Sequence, residues 1–69
     1  MALNHSSLSS IYFNLATACE GLQNSNKAIT YAEKSVEEAR LAFGNEHIET
    51  KENLDYLKQL QEQPQIEIF

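Results

Sequence analysis

Leu8-Ser9-Ser10-Ile11-Tyr12-Phe13-Asn14-Leu15-Ala16-Thr17-Ala18-Cys19-Glu20-Gly21-Leu22 is the stretch from which the fold can be read. Leu8, Ile11, Tyr12, Leu15, Ala18, Cys19 and Leu22 recur at steps of three and four, the interval that lines one face of an α-helix. The spacing predicts a first helix over Ser7 to Leu22 with that stripe turned toward the core.

Working outward, Gly21-Leu22-Gln23-Asn24-Ser25-Asn26 gathers a helix-ending glycine with Asn and Ser side chains that can cap a following helix. A second stripe of Ala28, Tyr31, Ala32, Ser35, Val36, Ala39, Ala42 and Phe43 predicts a helix running to about Phe43, with Lys34 and Glu38 as an exposed ion pair. Gly44 stands where a left-handed residue is expected to close it, and Asn45-Glu46-His47 leads to a third pattern of Thr50, Leu54, Leu57 and Gln61. That helix ends before Pro64, and Gln65 to Phe69 form a tail with no assigned element. Ala16, Ala18, Ala28, Ala32, Ala39 and Ala42 remove bulk and let helices approach closely. The expected fold is all-α: an antiparallel helical hairpin plus a third helix, with residues 1–63 as the repeat region and 64–69 as the tail.

Size and charge narrow the function. At 69 residues a single core supplies no more than about 3 to 5 kcal/mol without a staple, a metal or a partner chain. The 42% hydrophobic content is that of a chain that folds, and the net charge of −5 disfavours direct binding to nucleic acid or to an anionic membrane. No signal-peptide pattern and no long apolar run is present, so membrane insertion is not expected, and a single cysteine fits a reducing, cytoplasmic setting. Phosphate-binding glycine loops, the GxSxG elbow and the HExxH metal motif are missing, so no enzyme activity, catalytic residue or cofactor is expected. Cys19 reads as a small buried hydrophobe, and His5 and His47 as loop or capping residues with no partners at zinc-ligand spacing. Tyr12, Phe13 and Tyr31 stand at helical spacing and read as core.

Compared with itself at a shift of 42 residues, the chain places His5 on His47, Leu15 on Leu57 and Tyr12 on Leu54. The third helix therefore repeats the first. Asn14-Leu15-Ala16, Lys27-Ala28 and Phe43-Gly44-Asn45-Glu46-His47 resemble the 42-residue tetratricopeptide variant of kinesin light chains. There the run reads NLA, then EA, then LGPDHP. Ala32 in place of the usual aromatic, Ser25 in place of the tyrosine that opens helix B and Ile48 in place of the proline after His47 depart from that pattern and suit a divergent or terminal repeat. Gly44, Glu46-His47, Thr50-Lys51-Glu52 and Tyr56-Leu57-Lys58 are also similar to the final repeat of the clustered-mitochondria family. That second resemblance implies the C-terminal part of a large cytosolic protein tied to mitochondrial distribution and messenger RNA.

The tetratricopeptide resemblance implies a protein-interaction scaffold with a concave, peptide-binding face. Carried over position by position, that face comprises Ser10, Phe13, Asn14 and Thr17 on the first helix and Glu52, Asp55, Tyr56 and Gln59 on the third. Asn14 is the leading candidate, because its amide offers a donor and an acceptor to a peptide backbone. Lys51 and Lys58 are the only cations of the third helix, with Glu52 and Asp55 nearby, so a clamp for a terminal carboxylate is not expected. A protein or peptide partner rich in Lys or Arg fits better. The alternative is a capping or self-assembling piece that packs on neighbouring repeats or on itself and has no ligand groove.

Overall fold

A computed structural model describes residues 4–62, and the tail lies outside the described residues. The fold is all-α, with α1 at His5–Gly21, α2 at Ser25–Phe43 and α3 at Ile48–Glu62. The pairs His5 with Glu38, Ser9 with Ser35 and Tyr12 with Tyr31 run in opposite senses along α1 and α2, which makes the two an antiparallel hairpin. The third helix packs on α2 and runs alongside α1.

Local chemistry sets the boundaries. α1 starts two residues earlier than the stripe predicts, because Asn4 Oδ1 accepts the Ser7 amide at 2.8 Å and caps the helix. At its other end, Gln23 N donates to Glu20 O and Asn24 N to Cys19 O, the paired bonds of a Schellman motif. Gln23, not Gly21, carries the positive φ of 62°, so Gly21 remains the last helical residue. A side chain in that region costs about 1 kcal/mol relative to glycine. Asn24 then serves the next helix as well, its Oδ1 accepting the Lys27 amide at 3.3 Å. Gly44 does have positive φ, but its ψ of 166° is extended rather than left-handed helical, a combination essentially confined to glycine. His47 caps α3, with Nδ1 accepting the Glu49 amide at 3.0 Å while its ring stacks on Phe43. The His5 side of the predicted equivalence differs, since His5 is the first residue of α1 and pairs with Glu38.

The core is built from small residues. Ala16, Ala28, Ala32 and Ala39 are buried, with Leu57 and Leu60 as its large members, whereas Ala18 and Ala42 are exposed. Alanine lets helix axes approach closely, but each buried methyl removes little apolar surface from water. Leu57 and Leu60 contribute about 1.5 to 3 kcal/mol each.

Several stripe residues do not face this core. Ile11, Leu15 and Leu22 are 40%, 39% and 80% exposed, and Leu54 is 37% exposed. Leu57 packs in the core with Ala28 and Ala32 of α2, whereas Leu15 is not part of that core.

Where the three helices meet, the interior is polar. Ser9 Oγ donates to Ser35 O and Ser35 Oγ reaches Ser9 O, both at 3.2 Å, while Ser35 Oγ lies 2.9 Å from Asn53 Oδ1. Asn53 Nδ2 donates to Glu49 O at 2.9 Å and approaches Ser9 Oγ at 3.4 Å. No buried side-chain nitrogen or oxygen among the described residues is left without a partner. The expected Lys34–Glu38 pair does not form. Lys34 Nζ instead lies 5.7 Å and 6.0 Å from the rings of Tyr12 and Tyr31, and Glu38 takes His5.

Candidate functional site

α1 and α3 rise side by side, and a groove of about 590 Å³ opens between them. Ser10, Phe13 and Asn14 line it from α1, and Glu49, Glu52, Asp55, Tyr56 and Gln59 line it from α3. Ser9 and Asn53, both buried, form part of its lining. The groove exists because the helix spacing that turns Ser9 and Ala16 inward leaves Ser10, Phe13 and Asn14 on the adjoining flank.

Of the eight residues expected on the concave face, the structure gathers seven around this groove. Thr17 is the exception. It is exposed on α1, and its hydroxyl donates to Asn14 O at 2.8 Å. That local bond to the preceding turn satisfies the side chain without the groove.

Sequence reasoning missed Ser9, Glu49 and Asn53. Each stands three or four positions from a residue that was identified: Ser9 from Phe13, Glu49 from Glu52, Asn53 from Tyr56. The helical interval that located their neighbours therefore contained the signal for them too.

Phe13 and Tyr56 meet at a centroid distance of 5.0 Å and a tilt of 56°, joining α1 to α3 through an aromatic contact. The Tyr56 hydroxyl donates to Glu20 Oε1 at 2.7 Å. Burial, reinforced by the Glu20 carboxylate, pushes the phenol well above its ordinary value of 10.0. The bond to Glu20 and the contact with Phe13 hold the Tyr56 ring between α1 and α3.

Glu49, Glu52 and Asp55 give the groove carboxylates, and no Lys or Arg lines it. Of the two α3 lysines, Lys51 pairs with Glu46 at 3.6 Å, away from the groove. Asn14 is exposed, and its side-chain amide makes no hydrogen bond among the described residues. The arrangement offers an aromatic pair, a free amide and three carboxylates within one concavity.

Among the described residues no three His, Cys, Asp or Glu side chains converge on a possible metal position, and no helix is long and apolar enough to cross a membrane. Cys19 is a half-buried free thiol beside the core, in keeping with its apolar reading. No family model, curated protein or solved structure matches the chain.

Proposed function

We propose that this chain is a protein-interaction module of the helical-repeat kind, binding an extended peptide segment with Lys or Arg side chains in the groove between α1 and α3. The single observation that carries the reading is the composition of that groove: Asn14, Phe13 and Tyr56 beside Glu49, Glu52 and Asp55, with no lining cation. A free amide can pair with a peptide unit irrespective of sequence, and the carboxylates favour cationic side chains over anionic ones. The tetratricopeptide resemblance supports the same reading, in a cytoplasmic setting, and the clustered-mitochondria resemblance would make the module part of a larger protein.

Fluorescence anisotropy with labelled Lys-rich and Glu-rich peptides of equal length tests it. The Lys-rich peptide is expected to bind, and Asn14→Ala to weaken it by up to about tenfold, the loss of one hydrogen bond, with unchanged helicity. Equal binding of the Glu-rich peptide, or an Asn14→Ala variant as tight as the parent, counts against the groove.

A further inference from the structure

The groove between α1 and α3 offers a cation more than negative charge. Phe13 and Tyr56 are half-buried, line the groove from opposite helices and touch at a centroid distance of 5.0 Å. Rings in contact leave no slot between them for an ammonium group, so a cationic side chain meets them from the groove side. The Tyr56 hydroxyl is already bonded to Glu20, so the ring, not the phenol, is what Tyr56 offers to a ligand.

A carboxylate stands beside that pair. Glu52 and Tyr56 are four residues apart on α3, which puts acid and ring on one side of the helix, with about 5 to 6 Å between their Cβ atoms. Glu52 is exposed, and its carboxylate has no Lys or Arg partner among the described residues. One turn of α3 therefore presents a flat apolar ring and a free pair of acceptor oxygens to the same part of the groove.

Arginine and lysine meet such a surface differently. A guanidinium is planar and weakly hydrated, stacks on aromatic rings and donates two parallel N–H bonds to a carboxylate. Lysine's ammonium is a compact, strongly hydrated point charge that is drawn to the acids but gives up more hydration when seated against a ring. The acidic lining attracts either cation, whereas ring and carboxylate together match the shape of the guanidinium alone.

We propose that the groove selects arginine over lysine, with a guanidinium of the bound peptide lying against the Phe13–Tyr56 pair and forking onto Glu52. The selection rests on the groove being the peptide site.

Fluorescence anisotropy of the full chain at one ionic strength, with labelled Gly/Ser peptides that differ only in carrying Arg or Lys at the same positions, is the test. The Arg peptide is expected to bind about fivefold more tightly than the Lys peptide. Phe13→Leu, with helicity checked by circular dichroism, should bring the two affinities together by weakening Arg and sparing Lys. Glu52→Gln, at an exposed position, should lower both affinities and narrow the Arg advantage, whereas Glu49→Gln should lower both and leave their ratio unchanged. Equal affinities in the parent, or an Arg advantage that survives Phe13→Leu or Glu52→Gln, overturns the arginine seat and leaves the groove standing. Failure of both peptides to bind overturns the groove reading and the seat together.

Discussion

The two sides of α1 invert the usual arrangement of a small helical protein. Its inner side is small and polar, with Ser9 and Ala16 buried against the other helices, while its outer side bears the large apolar Ile11, Leu15 and Leu22. The contrast teaches that apolarity and burial answer different questions. Close approach of α1 and α2 places Ala and Ser at their most buried contact points, with the larger buried residues Leu57 and Leu60 coming from α3, so the bulk of α1 lies on its outer side.

The largest expected effect comes from adding bulk to the inner side. Ala32→Leu should cost about 3 kcal/mol, because a tightly packed alanine contact accommodates extra methylenes only by moving helices apart. The midpoint of urea unfolding, followed by circular dichroism, measures it. A near-neutral result would mean that the inner contact is loose.

Next comes the polar junction. Ser35→Ala removes the hydroxyl that reaches Ser9 O and Asn53 Oδ1, leaving a buried amide oxygen without that partner. The expected loss is about 2 kcal/mol. If the variant matches the parent, the three-helix junction is not held by these bonds.

Tyr56→Phe is expected to cost about 1 kcal/mol by deleting the bond to Glu20. It also has a pH signature. The folded phenol binds its proton more tightly than the unfolded one, so the Tyr56 contribution is complete below the unfolded value of 10.0 and declines as pH rises beyond it. Unfolding midpoints compared between neutral pH and values above 10 should fall less in Tyr56→Phe than in the parent. An equal decline in both would place the effect elsewhere.

The smallest effect belongs to the outer side. Leu22→Ser, at the 80% exposed residue that follows α1, should shift the unfolding midpoint by no more than about 0.5 kcal/mol. A loss comparable to that of Ala32→Leu would erase the distinction between the two sides.

Much of this organisation was legible in the sequence. Intervals of three and four gave all three helices. Asn24 and Gly44 marked the turns, and seven of the eight expected concave-face residues share the groove. Coverage was not legible. Leu15 and Leu57 coincide at a shift of 42 residues, yet periodicity cannot say that one is 39% exposed and the other buried against α2. Nothing local marks Asn53 as an interior residue, because Ser9 and Ser35 come to it from distant positions in the chain. Lys34 likewise had an apparent local partner in Glu38, but Tyr12 and Tyr31 compete for it once the hairpin closes.

The most direct test of the groove is a nitrogen-15 chemical-shift titration of the labelled chain with a Lys-rich peptide. The account predicts perturbations concentrated at Ser10, Phe13, Asn14, Glu52, Asp55, Tyr56 and Gln59. Perturbations concentrated instead at Ile11, Leu15 and Leu22, or none at all, would contradict it.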